Sequence, residues 1–409
     1  MIQLLKNIKG DKVIWVVVLI LCIFSLLAVY SATGTLSYQK QQGDTEHYLI
    51  KHFLILIFGL SLLYLTHLIK YTYYSRISQI GLFLSLLVLV ITLFYGTTLN
   101  DARRSITIPF INLTFQSFDI ARLFLIMYLA RVLSKNQEQV KDFRQGFLPV
   151  IIPLIIVCIL ILPANFSTAA ILFVTSLVLM FIGRIKIKYI ITLIFLGIAS
   201  VFLIISLAGL FPKIIPRGST WVNRIDIFFH REKTDPNATY QVDQSKIAIM
   251  TGGALGKGPG KSTQRNFLPH PYSDFIFAII IEEYGLAGGI LVMLLYLILL
   301  FRVIQIARKC DGNFGSLLSI GIGFSLVFQA LINMAVAVNL FPVTGQTLPL
   351  ISMGGTSIWF TCISIGIILS VSRRTGMETR DGTEVEVSED SFQTLDLNPI
   401  QKRQFDGIS

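Results

Sequence analysis

The chain has 409 residues, of which 54% are hydrophobic and 14% charged, and its formal net charge is +11. Soluble proteins carry roughly 25% charged residues, so the composition excludes an ordinary soluble domain and predicts a polytopic membrane protein. The excess Lys and Arg is typical of cytoplasmic loops in such proteins, and we therefore expect no nucleic-acid partner.

Ten apolar segments approach or exceed the roughly 20 residues that a helix needs to cross a bilayer. The least apolar of them contains Asp119, Arg122 and Arg131. The predicted fold class is an all-α polytopic membrane protein with a long extracytoplasmic loop, residues 211–273, between spans 7 and 8. The predicted spans are 13–31, 49–69, 77–95, 117–133, 147–162, 167–183, 188–210, 274–301, 314–340 and 347–371.

Clusters of Lys and Arg fall in alternate loops, which predicts that both termini are cytoplasmic. Residues 1–12 form the N-terminus and residues 13–374 the membrane domain. Residues 375–409 are polar and largely acidic, and a segment with so little apolar surface to bury is predicted to be disordered.

One loop on the opposite, outer side, residues 96–116, contains Arg103 and Arg104. This pair either anchors the loop at the membrane surface or faces an anion. The stretch FQSFDIARL follows, and its Asp119 and Arg122 are three residues apart on one helix face. They either form a structural ion pair, or Arg122 faces a polar cavity and binds an anion.

The stretch TGGALGKGPGKS, residues 251–262, looks like a phosphate-binding loop. A Walker A motif requires four residues between Gly and Gly-Lys-Ser, whereas three separate Gly256 from Gly260, so we expect no nucleotide. Its glycines and its lysines, Lys257 and Lys261, either approach another phosphate or belong to a flexible solvated loop. Gln244 and Ser245 precede the stretch as further polar candidates.

Asp274 lies where the long outer loop enters the eighth span. A partly desolvated carboxylate there suits a general base, but Ser273 or Asp274 could equally cap the helix. Glu282 and Glu283 lie roughly 12–13 Å deeper along the helix. They are either functional or paired with a cation on a neighbouring helix.

The stretch NLFPVTGQTLPLISMGGTS, residues 339–357, contains two prolines and three glycines. Irregular backbone at membrane depth is tolerated where it is buried in protein or lines a cavity. Its polar members Thr344 and Ser352 are candidates to support such a cavity.

Together these motifs resemble the SEDS family, the polytopic proteins of bacterial shape, division and sporulation. The resemblance covers about residues 10–374. It is carried by FQSFDIAR, by YQVDQSKIAIMTGGALGKGPG, by SDFIFAIIIEEYG and by TGQTLPLISMGGTS. The last of these is similar to the cell-division branch of the family rather than to the elongation branch.

The resemblance implies a peptidoglycan glycosyltransferase that polymerises lipid II, with Asp274 as the general base. It implies a divalent cation, Mg or Mn, a class B penicillin-binding protein and other divisome proteins as partners, and the division septum of the inner membrane as the location. The pyrophosphate of lipid II or of the growing glycan-lipid would meet positive charge from Arg103, Arg104, Arg122, Lys257 and Lys261, with Gln244 and Ser245 nearby. Supporting roles fall to Gln116, Asp119, Glu282, Glu283, Thr344 and Ser352.

The sequence departs from the family pattern at three places. Ser117, Phe118 and Asp119 stand where Pro-Ser-Glu is usual, and Arg122 replaces a lysine. Asn165 stands where an aspartate is common, so no acid or metal role is assigned to its loop.

Two other functions remain open: a lipid II flippase and a non-catalytic divisome scaffold. A flippase would line a path through both leaflets, whereas the candidate groups here concentrate on the outer half. A scaffold would leave Asp274 unexplained, and also the glycine- and lysine-rich residues 251–262, which we call the Gly/Lys loop. The placement of charge therefore favours the enzyme.

Overall fold

The computed structural model describes residues 9–34, 45–99, 102–108, 113–135, 137, 139–210, 236–269 and 271–385, with the single positions 218, 224, 227 and 228. Ten long helices in this part of the chain correspond to the ten predicted spans, and one further helix, α8, lies between the seventh and eighth. The helices are α1 Lys12–Ala32, α2 Thr45–Leu68, α3 Tyr71–Tyr95, α4 Ser117–Lys135, α5 Leu148–Ile161, α6 Phe166–Ile182, α7 Ile187–Leu210, α8 Pro236–Gly252, α9 Ile276–Lys309, α10 Asn313–Ala337 and α11 Thr356–Val385.

Eight helical segments are long and apolar enough to cross a membrane. Helix α6 is shorter but apolar, and α4 is the charged segment that contains Asp119 and Arg122. The predicted all-α polytopic fold is confirmed.

Several predicted boundaries differ from the structure. The last span was predicted to begin at residue 347, but α11 begins at Thr356, because Pro349, Gly354 and Gly355 keep the preceding residues non-helical. Helix α11 also continues to Val385, into the predicted disordered tail. Residues 386–409 and 1–8 lie outside the described residues.

Two loops predicted on the outer side contain secondary structure. Strands β1 Thr97–Leu99, β2 Ala102–Ile108 and β3 Leu113–Gln116 form an antiparallel sheet in the order β1-β2-β3. Helix α8 lies within the long loop between α7 and α9. We call the end of the helix bundle that carries the sheet, α8 and residues 338–355 the loop-rich end.

Helices α10 and α11 are the most buried spans, whereas α7 lies at the periphery. Large apolar side chains on the outward faces of the bundle are exposed, for example Ile80 at 75% and Phe202 at 74%. A surface this apolar suits contact with lipid acyl chains rather than with water.

Polar contacts tie the helices together at the end opposite the loop-rich end. The Asp11 carboxylate caps α1 by accepting from the backbone N–H groups of Val13 and Ile14, at 2.9 and 3.2 Å. It also pairs with the Arg302 guanidinium of α9, Nη2 to Oδ2, at 2.5 Å. One side chain therefore begins one span and attaches another to it.

Residues 338–355 fold irregularly at the loop-rich end, yet side chains from three helices satisfy their carbonyl groups. A buried carbonyl without a partner would be costly in a membrane, so these contacts fix the path of the segment. The donors include Gln329 of α10 to Thr347 at 2.9 Å, Ser25 of α1 to Ile351 at 2.9 Å, and Tyr296 of α9 to Pro349.

Candidate active site

Asp274 lies two residues before α9 begins and is partly exposed. The N-cap position of α9 is Phe275, and no side chain caps the helix there. Neither Ser273 nor Asp274 therefore occupies the N-cap position of this helix. Instead, the Ser273 hydroxyl donates to Asp274 Oδ1 at 2.8 Å, which leaves the carboxylate at the helix entrance with a defined neighbour.

Two ionisable side chains interact electrostatically with the Asp274 carboxylate. Burial lowers the pKa of Arg224, and the Asp274 carboxylate partly offsets that shift. Burial raises the pKa of Tyr272, and the charges of Tyr48 and Asp274 add to the rise. Asp274 therefore has a cation and a neutral phenol as neighbours. The sequence did not distinguish Arg224 from the other cations of its loop.

The backbone around Asp274 is held by residues far along the chain. Asn333 Nδ2 donates to the Asp274 carbonyl at 2.9 Å. Ser352 Oγ donates to the Ser273 carbonyl at 2.6 Å, and the Met353 N–H to the Tyr272 carbonyl at 2.9 Å. Three consecutive carbonyl groups therefore each accept a hydrogen bond from α10 or from residues 338–355.

Asp119 and Arg122 form the ion pair that their spacing predicts, with Nη2 to Oδ1 at 3.4 Å and both side chains buried. Arg122 also donates to the side-chain oxygen of Gln329. Gln329 in turn donates to the Thr347 carbonyl at 2.9 Å. The guanidinium is thereby fixed between α4, α10 and the irregular segment.

A second polar chain joins α6 to the same segment. Asn165 Oδ1 caps α6 by accepting from the Thr168 N–H at 3.2 Å. Thr168 Oγ1 accepts from the Gln346 side chain at 2.7 Å, and the Gln346 carbonyl accepts from Asn333 at 2.7 Å. Asn165 thus acts as a helix cap, a role that an aspartate could also fill.

The Gly/Lys loop docks on α9 through Glu282. Lys257 Nζ lies 2.6 Å from Glu282 Oε1, and the Glu282 side chain is 0% exposed. Ser262 Oγ donates to Glu282 Oε2 at 2.5 Å, and the Thr263 hydroxyl to Oε1 at 2.8 Å. The cation that pairs with Glu282 therefore comes from the loop rather than from a neighbouring helix.

Glu283 has a different environment. Its Oε1 accepts from the Ser262 N–H at 3.2 Å and from the Ser31 hydroxyl of α1. Glu283 consequently links the loop to α1.

The same loop supplies backbone hydrogen-bond partners at a break in α9, and we call this the repair of α9. Gly285 has φ 71° and ψ −176°, which interrupts the helical hydrogen bonds around it. The Lys257 and Gly258 N–H groups donate to the carbonyls of Glu282 and Glu283, at 3.0 and 2.9 Å. The Gly253 and Ala254 carbonyls accept from the N–H groups of Leu286 and Ala287, at 2.9 and 3.2 Å.

Glycine is required where the two backbones meet. A Cβ on Gly256 would overlap the Glu283 carbonyl oxygen, and one on Gly285 would overlap that of Ala254. The glycines of the loop therefore allow close approach to a helix, whereas the sequence left open approach to a phosphate or a flexible solvated loop.

The remaining candidates are distributed around the loop-rich end. Positions 103 and 104 lie in β2, and their side chains fall outside the described part of the structure. The Gln116 N–H donates to Thr356 Oγ1 at 3.3 Å, and Ser245 Oγ to the Ala337 carbonyl at 2.8 Å. Lys261 is exposed, while Gln244 and Thr344 are partly buried.

The sequence interpretation missed two amides of α10, Gln329 and Asn333. They are four residues apart in an otherwise apolar helix, so they lie on one face. That spacing was the available signal, and the structure shows that both side chains point to residues 338–355.

Within the described residues, no three His, Cys, Asp or Glu side chains come together in an arrangement that could hold a metal ion. The described part of the chain therefore does not supply a cluster of three such ligands for a resident divalent cation. No step of the chemistry below is assigned to one.

Fold and site together define a polytopic integral membrane protein whose polar groups converge at one end of the bundle. The chain belongs to the FtsW/RodA/SpoVE family of cell cycle proteins, whose model matches residues 11–376. The family that the motifs predicted is thus confirmed.

Individual relatives match over nearly the whole chain. A probable peptidoglycan glycosyltransferase FtsW from Coxiella burnetii is 34% identical, with 88% of this chain and 96% of the relative covered. The stage V sporulation protein E of Bacillus subtilis is 30% identical, with 90% and 98% covered.

A solved structure has the same fold. It is described as a peptidoglycan synthase complex that coordinates polymerization and crosslinking. The matching chain is 26% identical, with 89% of this chain and 98% of that chain covered, at a TM-score of 0.66.

Proposed function

We propose that this protein is a peptidoglycan glycosyltransferase that polymerises lipid II into glycan strands. The observation that carries the proposal is Asp274, a partly exposed carboxylate just before a membrane helix. The carbonyls of residues 272–274 each accept one hydrogen bond from residues far along the chain. Relatives that align over almost the whole chain are named for this activity, which supports the same assignment here.

Asp274 acts as the general base in this proposal. The 4-hydroxyl of the acceptor sugar gives its proton to the carboxylate while its oxygen attacks the anomeric carbon of the donor glycan-lipid. A new glycosidic C–O bond forms, and the bond between the anomeric carbon and the lipid pyrophosphate breaks. The electron pair of that bond leaves with the pyrophosphate.

The departing pyrophosphate requires positive charge. Arg122 is held rigidly by Asp119 and Gln329, and Arg224 lies beside Asp274. We assign the leaving group to this region of the site, with Arg103, Arg104 and Lys261 as further cations. Lys257 remains a candidate, although its ammonium group is already engaged by Glu282.

The loop-rich end faces the outside of the cytoplasmic membrane in this proposal, and both termini are cytoplasmic. The alternation of Lys and Arg between loops supports this orientation. The protein acts at the division septum with other divisome proteins. Its partner is a class B penicillin-binding protein, which crosslinks the strands as they are made.

The arrangement of polar groups favours an enzyme over a flippase. Charged and polar groups at the end opposite the loop-rich end include ones that join helices, as Asp11 and Arg302 illustrate. Ser370 of α11 likewise donates to the Ile69 carbonyl. The polar network that extends from Arg122 to Asn165 instead lies at the loop-rich end.

The test uses the purified full chain, alone and with its transpeptidase partner, and labelled lipid II. We expect glycan polymer from the wild type and none from Asp274→Ala or from the isosteric Asp274→Asn, with both variants folded and monodisperse. Full polymerisation by a folded Asp274→Ala would refute the assignment of the base. Transfer of lipid II across proteoliposomes without any polymer would favour the flippase.

A chelator arm tests the expectation of a divalent cation. Polymerisation that is lost with EDTA and restored by Mg²⁺ or Mn²⁺ would support an ion bound together with the pyrophosphate. Polymerisation that EDTA leaves unchanged would contradict that expectation.

A further inference from the structure

The base of the proposed reaction is attached to the bundle through its backbone. We propose that Asn333 and Ser352 are positioning residues, which hold the main chain at Asp274 so that its carboxylate meets the acceptor hydroxyl. This inference rests on the proposed function for its catalytic consequence. The contacts themselves can be tested without it.

Asn333 is suited to this role because both hydrogens of its amide are used. Its Nδ2 donates to the Asp274 carbonyl at 2.9 Å and to the Gln346 carbonyl at 2.7 Å. The side chain is buried, at 1% exposure. Two carbonyl oxygens face this group, so only the NH₂ end of the amide can occupy the position.

Ser352 secures the preceding residue. Its hydroxyl donates to the Ser273 carbonyl at 2.6 Å and accepts from the Leu348 N–H at 2.8 Å. Both partners of the Ser352 hydroxyl are therefore backbone groups, one before α9 and one in residues 338–355. The effect of Ser352 on the reaction would therefore pass through the position of Asp274.

These contacts matter because Asp274 lies before the first residue of α9. At the start of α9, the Phe275 carbonyl accepts from the N–H groups of Ala278 and Ile279, at 3.0 and 3.4 Å. The carbonyls of residues 272–274 lie before that point and have the three donors described above. Those donors restrict rotation of the peptide units around Asp274.

The same face of α10 also fixes the arginine. Gln329, one turn before Asn333, joins Arg122 to the Thr347 carbonyl, while Asn333 joins Asp274 to Gln346. The base and the cation are therefore both tied to residues 346–347. This shared attachment sets the separation between the group that takes the proton and a group that meets the leaving pyrophosphate.

The principal variant is Asn333→Asp, which keeps the shape of the side chain and replaces the NH₂ donor by an oxygen. We expect kcat for lipid II polymerisation, per folded protein, to fall about 10- to 100-fold, because small misplacement of a reacting group is costly. We expect KM to stay within about threefold, because the side chain does not contact the substrate. Ser352→Ala should cause a smaller fall of the same kind.

A second measurement does not depend on catalysis. Hydrogen exchange followed by mass spectrometry should show faster exchange in the peptide spanning residues 271–279 in both variants. Ser319→Ala is the matched control, because Ser319 is a buried serine of α10 whose hydroxyl has no hydrogen-bond partner among the described residues. It should change neither the kinetics nor the exchange.

If Asn333→Asp does not fold, Asn333→Leu provides an apolar replacement of similar size for both measurements. Unchanged exchange at residues 271–279 together with unchanged kcat would overturn the proposal. A raised KM with wild-type kcat would also overturn it, because it would place Asn333 on the substrate. If the wild type makes no polymer, the proposed function fails, and the exchange measurement alone decides whether these residues hold the segment.

Discussion

The pairing of Lys257 with Glu282 makes a strong prediction, because it decides between two functions for the Gly/Lys loop. Lys257→Met removes the ammonium group and retains most of the length of the side chain. Glu282 then stays buried with five remaining donor contacts, from Thr251, Ser262, Thr263 and Gln264. These are neutral groups, so the carboxylate loses its only described counter-charge.

The magnitude follows from the burial of the two partners. Removing one partner of a buried ion pair costs about 3–5 kcal/mol. The Lys257 side chain is 28% exposed, so water can replace part of what is lost. We therefore expect Lys257→Met to lower the free energy of unfolding by about 2 kcal/mol.

The assay is unfolding by SDS titration in mixed micelles, with intrinsic fluorescence as the readout. It is applied to each member of a double-mutant cycle. Lys257→Met, Glu282→Gln and the double variant are compared with the wild type. We expect a coupling energy of about 1–2 kcal/mol between the two positions, because Lys257 loses its ionic partner when Glu282 is neutralised. The KM for lipid II is measured on the same preparations.

The opposite outcome is equally specific. In that outcome Lys257→Met has wild-type stability, the coupling energy is zero and the KM for lipid II rises at least tenfold. Lys257 would then bind the pyrophosphate and would not act as the partner of Glu282. That result would refute the structural role of the loop.

Three further predictions concern stability. Gly285→Ala should lower the free energy of unfolding by at least about 3 kcal/mol and reduce the yield of monodisperse protein. The backbone angles φ 71° and ψ −176° are accessible only to glycine, and a Cβ would overlap the Ala254 carbonyl. Gly253→Ala, where no atom lies within 4 Å, is its control and should cost about 1 kcal/mol in the same titration. Arg122→Leu should lower the free energy of unfolding by about 3 kcal/mol, because Asp119 is left buried without its cation. The double variant Arg122→Leu/Asp119→Leu should recover at least half of that loss. No recovery would contradict the ion pair. Asn165→Ala should lower the melting temperature by an amount equivalent to about 1 kcal/mol, while Asn165→Asp keeps both the cap and polymerisation; a large loss of activity in Asn165→Asp would contradict a purely capping role.

The sequence was sufficient for the features that depend on local length and spacing. Apolar runs of bilayer length located the spans, and a separation of three residues placed Asp119 and Arg122 on one helix face. Asp274 was located by the change from a polar loop to an apolar helix. Each of these inferences uses residues that are close together in the chain.

The features that the sequence did not reveal depend on residues that meet only in the folded protein. Lys257 and Glu282 are separated by a loop and a helix start, and nothing in the local pattern pairs them. The carbonyl contacts of Asn333 depend on the backbone path of residues 338–355, which no side-chain pattern specifies. The three-stranded sheet is built from strands of seven residues or fewer, too short for their periodicity to be read reliably.

The repair of α9 by the loop also constrains how the gene can change. The four backbone hydrogen bonds require a fixed number of residues between Gly253 and Gly258 and between Glu282 and Ala287. A single codon gained or lost within either stretch would shift every donor away from its acceptor, whatever the side chains are. Length variation among relatives is therefore expected outside these two stretches, and an alignment that opens a gap inside one of them should be corrected before residues are compared.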